Sequence, residues 1–182
     1  MKLKIFSICV LFTISNFLFS QNEGSLDLTF DSDGILYRHS GEAFCLFVQI
    51  DGKLIVAGRT PGSLFVNRYK ADGSNDNSFK GNGTTTTTIP QSFLILGESP
   101  AKILVEPVSE GNIYVVGHST FQQDGSLWAV KYNAFGLLDP AFGNNGIVQL
   151  SLMGISDAKL SADDQKIFFH NLIIFVAENL SS

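Results

Sequence analysis

The stretch Gly73-Ser74-Asn75-Asp76-Asn77-Ser78-Phe79 recurs twice in the chain, each time with Gly, Asp and Phe at the same spacing. The other copies are Gly24-Ser25-Leu26-Asp27-Leu28-Thr29-Phe30 and Gly136-Leu137-Leu138-Asp139-Pro140-Ala141-Phe142. Four residues after each Phe comes the glycine of an Asp-Gly or Asn-Gly pair: Gly34, Gly83 and Gly146. Because such pairs favour tight turns that need positive φ, we expect a strand after each. The recurrence predicts a chain of repeated units that start near residues 24, 73 and 136.

Two further motifs follow in fixed order within each repeat. The first is a turn, a short apolar run and a closing glycine, as in Asp51-Gly52-Lys53-Leu54-Ile55-Val56-Ala57-Gly58 and Glu110-Gly111-Asn112-Ile113-Tyr114-Val115-Val116-Gly117. A weaker third copy reads Asp164-Gln165-Lys166-Ile167-Phe168-Phe169. The second motif is an apolar run in which Arg68-Tyr69 aligns with Lys131-Tyr132. Both motifs are typical of short strands bounded by turns.

Each full repeat contains four strand-like runs and requires no helix. The runs are 44–49, 53–57, 64–70 and 84–89 in the first repeat, and 102–108, 113–116, 127–132 and 147–152 in the second. The threonine run 84–88 resembles low-complexity sequence, but its β-branched residues fit an outer strand better. A repeat of about 50 to 60 residues with four strands is typical of a β-propeller blade. The sequence therefore predicts an all-β fold of β-propeller-like repeats, with two full four-stranded blades and an incomplete third.

The third repeat is expected to break off after Phe169, before a closing glycine or an Arg-Tyr-like strand. The run 35–39 is the equivalent of an outer strand and is expected to complete the last blade. The longer of two insertions in the second repeat lies around Pro90 to Pro100, where two prolines predict a loop, and the shorter lies around 119–125. Two blades and a fraction would leave strand edges and apolar faces exposed, which favours self-association. A truncated gene product or a fragment of a larger repeat protein explains the same pattern.

Composition excludes several classes of protein. The chain has 182 residues, of which 45% are hydrophobic and 16% charged, so it is neither disordered nor larger than one ordinary domain. Its net charge of −5 and isoelectric point near 5.0 provide no basic surface for phosphates. Nucleic acid is therefore not an expected partner.

Residues 1–20 have the pattern of a secretory signal peptide. Lys2 and Lys4 precede an apolar run that ends in more polar residues before Ser20. A membrane anchor is the alternative, but the run 5–19 is short and contains polar residues. We expect residues 21–182 to be exported, secreted or held at the cell surface, and not to be integral to a membrane. Cys45 is then the lone cysteine, and its apolar neighbours favour a buried thiol over a reactive one.

The search for catalytic, cofactor-binding or metal-ligating residues yields no candidate. His39, His118 and His170 are too far apart for a local ligand pair. Runs 31–34 and 72–77 superficially resemble calcium loops, but turn chemistry explains their side chains. Tyr69, Tyr132 and Trp128 offer aromatic faces for a sugar, although their places on aligned strands favour core packing.

The ordered motifs, from Gly-Ser-Leu-Asp-x-x-Phe to Arg-Tyr-x-Ala-Asp-Gly-Ser, resemble the delta-60 repeat family of secreted bacterial β-propellers. The resemblance spans residues 24–169. It implies an exported, non-enzymatic module with no assigned catalytic residues. From the repeat itself we expect a structural or binding role towards an unidentified protein or glycan, and no cofactor. The alternative is an exported carbohydrate-active enzyme in which carboxylates converge on a propeller scaffold.

Overall fold

The computed structural model describes residues 24–37, 41–61, 63–89, 99–107, 111–119, 126–150, 158–160, 166–169 and 172–175. These residues form eleven strands and no helix, as the sequence predicts for an all-β chain. The strands are β1 (Glu42–Val48), β2 (Leu54–Thr60), β3 (Ser63–Tyr69), β4 (Thr84–Thr88), β5 (Ser99–Val105), β6 (Ile113–Ser119), β7 (Ser126–Tyr132), β8 (Ile147–Leu150), β9 (Ala158–Leu160), β10 (Lys166–Phe169) and β11 (Leu172–Phe175).

The strands form two antiparallel four-stranded sheets and one three-stranded sheet. The first sheet has the order β1-β2-β3-β4, the second β5-β6-β7-β8 and the third β9-β10-β11. Within each sheet every strand pairs with its neighbour in the sequence, so each sheet is an up-and-down meander. The eight strands predicted for the two full repeats are all present, with ends shifted by a few residues.

The first two sheets share an irregularity as well as a strand order. The register shifts between Ala43 and Cys45 in β1, and between Pro100 and Lys102 in β5. The expectation that the loop extends to Pro100 is wrong, because β5 already begins at Ser99. Proline is tolerated there because β5 is an edge strand and the register shift removes the need for a ladder hydrogen bond. Residues 90–98, predicted to be loop, lie outside the described residues. Of the second insertion, Ser119 ends β6, and 120–125 are also outside the described residues.

The threonine run forms an outer strand, as expected. β4 pairs with β3 from Thr84↔Asn67 to Thr88↔Ser63. Thr85 and Thr87 are buried, whereas Thr86 and Thr88 are exposed, so the run has the two-residue alternation of a half-buried strand. Residues 35–37, predicted to be the equivalent strand of another blade, are not in a strand; residues 38–39 are not described.

The third repeat extends further than the sequence indicates. The expectation that it breaks off after Phe169 is wrong, because β11 follows and pairs with β10 from Leu172↔Phe169 to Phe175↔Lys166. β10 also pairs with β9. The signal was missed because the Arg-Tyr dipeptide of β3 is replaced by isoleucines. The third unit therefore has three of the four strands, and among the described residues it lacks the fourth.

Two hydrophobic clusters lie between the sheets rather than within them. The first contains Ile55, Ala57, Leu64 and Val66 of the first sheet together with Ile103, Ile113, Val115, Trp128, Val130 and Tyr132 of the second. The other joins Leu104, Tyr114, Val116, Leu127 and Ala129 of the second sheet to Ala158 and Ile167 of the third. The first strands of successive sheets also touch, β1 with β5 and β5 with β9. Tyr69, Tyr132 and Trp128 are buried, which confirms the core interpretation.

We predict that the face between the first two sheets provides much of the folding free energy. Ile103→Ala removes a side chain that is 4% exposed and should reduce the free energy of unfolding by about 2–5 kcal/mol. The matched control Leu137→Ala, at a leucine that is 45% exposed, should change it by less than about 0.5 kcal/mol. Urea unfolding followed by circular dichroism measures both. Equal losses would contradict this location of the core.

Candidate functional site

The repeated Asp-x-x-Phe loop contacts the turn of the next sheet. We call the contact between loop 73–83 and turn 133–136 the first joint. The Phe79 ring is fully buried, and a methyl group at Gly136 would lie 2.7 Å from it. Gly136 has φ +77°, which favours glycine, and the Lys80 N–H donates to the Phe135 carbonyl at 2.8 Å. The recurring Phe and the recurring Gly are thus the two halves of one inter-sheet contact.

The buried guanidinium of Arg68, on β3, forms hydrogen bonds on both sides of the first joint. The Arg68 guanidinium donates to Asp76 Oδ2 at 2.7 Å, to Ser78 Oγ at 2.9 Å and to the Ala134 carbonyl at 2.6 Å. It also lies 4.8 Å from the centroid of the Phe79 ring. The planar fork of arginine reaches acceptors in the loop and in the neighbouring sheet simultaneously. Arg68 therefore fixes the angle at which the first two sheets meet.

A similar contact stands at the N-terminal end of the first sheet. We call the contact between loop 24–34 and turn 71–73 the N-terminal joint. The Asp31 N–H donates to the Asp72 carbonyl at 2.8 Å, and a methyl group at Gly73 would lie 3.3 Å from the Phe30 ring. Loop 24–34 thus binds the first sheet as loop 73–83 binds the second.

The loop that leaves the second sheet repeats the arrangement with different side chains. Lys131 replaces arginine and donates to Asp139 Oδ2 at 2.9 Å, while the Phe142 ring packs edge-on against Tyr114 with centroids 5.9 Å apart. The turn that would receive Phe142 in the third sheet lies outside the described residues. Outside the first joint, β4 and β7 of the first two sheets also meet, with the hydroxyls of Thr87 and Tyr132 2.6 Å apart.

The aspartates of these loops are ionised structural groups. Burial raises the pKa of Asp76, but hydrogen bonds from Ser78 and the charge of Arg68 outweigh it, so that the pKa lies below its ordinary value. The pKa of Asp139 is also lowered, since the Lys131 ammonium and the Ala141 N–H outweigh burial. Asp27, in the corresponding exposed loop, has a lowered pKa because the Thr29 hydroxyl and N–H donate to it. Each carboxylate caps its own turn, as the alignment predicts.

Among the described residues, the other side chains considered in the sequence form no reactive or metal-binding group. Cys45 is packed against the core, and burial raises the pKa of its thiol to about 11, so the group is not an activated nucleophile. His39 and His170 lie outside the described residues. Within the described ranges no group of three or more His, Cys, Asp or Glu side chains is placed to hold a metal ion. That part of the chain also contains no helix able to cross a membrane.

Sequence reasoning missed two polar contacts, one within a sheet and one between sheets. Glu106 accepts hydrogen bonds from the Asn112 N–H at 3.0 Å and from the Tyr114 hydroxyl at 3.0 Å, which closes the β5–β6 hairpin. Its equivalent in the first sheet is Gln49, so no repeated signal marks the position. The contact from Arg68 to Ala134 joins residues far apart in sequence and depends on how the sheets pack.

No protein-family model, curated protein or solved structure matches the chain. The internal repeat and its joints are accordingly the observations on which a function is inferred.

We predict that the close approach of Phe79 to Gly136 is required for stability. Gly136→Ala imposes positive φ on a residue with a side chain, at about 1–2 kcal/mol, and forces its methyl group into the Phe79 ring for about 1–3 kcal/mol more. Gly81→Ala is the matched control, because Gly81 has φ +82° with open space around it. Gly81→Ala should reduce the free energy of unfolding only by the cost of positive φ, about 1–2 kcal/mol. Thermal unfolding compares the variants, and equal losses would mean that the ring contact is unimportant.

We predict that Asp76 contributes to acid sensitivity. Its lowered pKa means that its contribution is complete above the unfolded value of 3.8 and is lost as the pH falls through the lower folded value. Asp76→Asn should reduce the free energy of unfolding by about 2–4 kcal/mol at pH 7, because it leaves Arg68 without its buried partner. The difference from the wild type should shrink as the pH falls below 3.8 and through the lower folded value.

The exposed Asp72→Asn variant is the control for this experiment. Its carboxylate accepts only from Ser74 on the surface, so its removal should cost less at pH 7. A constant difference between Asp76→Asn and wild type across the acid range would contradict the assigned role.

Proposed function

We propose that the chain is an exported, non-enzymatic β-propeller module of the delta-60 repeat type, with a structural or binding role towards protein or glycan. The observation that carries this proposal is the recurrence of one unit. The unit is a four-stranded meander with a register shift at the same place in its first strand, and it contacts the next unit through a phenylalanine ring packed against a glycine. Independent sheets would have no reason to share both features.

Contacts of two kinds support a radial arrangement of the units. β1 touches β5 and β5 touches β9, so the first strand of each sheet lies beside the first strand of the next. The sheets meet face to face through apolar clusters instead of through strand pairing. Propellers place successive sheets around an axis in this way and close with four to eight of them. The three sheets described here are fewer, so the proposed ring needs further units.

The bonding partners and the pKa values of the carboxylates favour a scaffold role over catalysis. Asp76 and Asp139 are occupied by Arg68 and Lys131, and Glu106 is occupied by its own hairpin. Glycoside hydrolysis needs two carboxyl groups on either side of a scissile bond, one of them with a raised pKa. The shifted aspartates have lowered pKa values instead.

Hydrolysis and export test the proposal together. The full chain, produced in a secreting bacterial host, should appear outside the cytoplasm with Gln21 as its first residue, as mass spectrometry of the purified protein would show. Incubated with a panel of plant, fungal and bacterial polysaccharides, it should release no more reducing ends than a heat-denatured control. A cytoplasmic chain that begins at Met1 would contradict export, and sustained release of reducing ends would establish the carbohydrate-active alternative.

A further inference from the structure

The fourth strand of the first sheet has an uncovered outer edge. β4 pairs with β3 along its whole length, from Thr84 to Thr88, without a register shift, and with no other strand among the described residues. The Arg68 N–H donates to the Gly83 carbonyl at 2.8 Å, so Gly83 directs its backbone groups towards β3. Because these groups alternate in direction along an antiparallel strand, Thr84, Thr86 and Thr88 direct theirs away from β3. The outer edge is thus formed by alternate threonines, of which Thr86 and Thr88 are exposed.

The corresponding edge of the second sheet is occupied by its own loop. Ile147 begins β8 as Thr84 begins β4, and its backbone groups also point outward. The Ile147 carbonyl accepts from the Asn144 N–H at 2.8 Å, and the Ile147 N–H donates to the Asn144 carbonyl at 3.2 Å. At β4, Asn82 Oδ1 caps the Thr84 N–H at 3.0 Å. The Thr84 carbonyl and the outward groups of the two exposed threonines have no hydrogen-bond partner among the described residues.

β4 also lacks the features that usually prevent edge strands from pairing. Natural sheets protect their edges with charges, prolines, irregularities in the strand or covering segments. The first strands of the two four-stranded sheets have such features: a register shift in each, Glu42 in β1, and Pro100 and Lys102 in β5. Residues 82–89 contain no charge and no proline, and the pairing of β4 is regular throughout. An exposed, regular edge of this kind is a template for an added strand.

The threonine run is its own complement. Residues 84–88 are identical, so an antiparallel copy related by a twofold axis at Thr86 places threonine opposite threonine at every position. Threonines that face each other across adjacent strands form favourable hydrogen-bonded pairs. A different peptide would be selected by pockets or charges beside the edge, and residues 82–89 offer no charge for that selection. The sequence of the edge therefore favours a second copy of this chain as its partner.

We propose that two copies of this chain pair antiparallel through β4, around a twofold axis at Thr86, which joins their first sheets into one continuous sheet. The Thr86 N–H of each copy donates to the partner's Thr86 carbonyl, and the Thr88 N–H donates to the partner's Thr84 carbonyl. Both copies use the same edge, so association through β4 closes at two. The pairing uses the outer edge of one sheet alone, so it depends neither on the number of repeats in the chain nor on the proposed propeller architecture.

Removal of one outward N–H tests the pairing while leaving the bonds between β4 and β3 in place. Thr86→Pro deletes the N–H that points away from β3, a position at which an edge strand tolerates proline. The purified full chain should have twice the monomer mass by light scattering after size exclusion. Thr86→Pro should raise the dimer dissociation constant at least about tenfold. Thr86→Val, which keeps the backbone N–H and a β-branched side chain, is the matched control and should remain dimeric.

Circular dichroism on the same peaks shows whether Thr86→Pro keeps its β-sheet, and the charge variants below decide the matter if it does not. A wild-type monomer at every concentration, or polymers larger than a dimer, would overturn the proposal. Equal dissociation constants for folded Thr86→Pro and wild type would also overturn it. Hydrolysis of polysaccharides or cytoplasmic retention would overturn the proposed function and leave this pairing intact.

Complementary charges test the position of the twofold axis. Like charges directly opposite each other on adjacent strands are destabilising, and opposite charges are favourable. Thr86→Lys alone and Thr86→Glu alone should therefore dissociate, whereas an equimolar mixture of the two should recover the dimer. The matched control is Thr88→Lys mixed with Thr88→Glu, because Thr88 faces Thr84 of the other copy, and mixing should leave its dissociation constant unchanged. No recovery by the Thr86 mixture, or equal recovery by both mixtures, would overturn the pairing around Thr86.

Discussion

The ring of Phe79 lies on the backbone of Gly136, and the way the sheets are joined depends on that contact. Burying a phenylalanine side chain contributes about 2–3 kcal/mol, but only if the opposing residue has no side chain. The Arg68–Asp76 ion pair beside it adds little net stability, because desolvation offsets the attraction between the charges. Its contribution is directional, since the same guanidinium reaches the Ala134 carbonyl of the next sheet. Apolar burial thus stabilises the joint, and the buried cation sets its geometry.

The first two sheets were predictable because their signals are local. Asp51-Gly52-Lys53 forms its turn with Gly52 at φ +81°, and β2 begins directly afterwards. The loop glycines and the alternating threonines of β4 behave in the same way. Interactions between sheets were not predictable: no pattern in the sequence pairs Thr87 with Tyr132, or Arg68 with Ala134. The aromatic residues Tyr69, Trp128 and Tyr132 were assigned to the core because they recur on aligned strands, and burial between sheets explains that recurrence.

The two ends of the chain show why an internal repeat is an incomplete guide. Residues 35–37 follow their turn glycine as β4 and β8 do, yet they form no strand, because a strand requires a partner and the described residues provide none. β11 forms although it lacks the Arg-Tyr dipeptide, because its backbone hydrogen-bonds to the edge of β10. Strand formation is decided by the neighbour as much as by the segment. The same reasoning explains why Leu46 is exposed although Ile103, at the equivalent position, is buried.

Native-state hydrogen exchange of the Lys80 amide tests whether the joint is integral to the fold. This N–H donates across the joint to the Phe135 carbonyl, although the Lys80 side chain is exposed. If the sheets unfold as one unit, the Lys80 amide should exchange with the same opening free energy as amides in the core strands β3 and β6. Exchange at a much lower opening free energy, with β3 and β6 still protected, would mean that the sheets separate independently and that the joint does not hold the structure together.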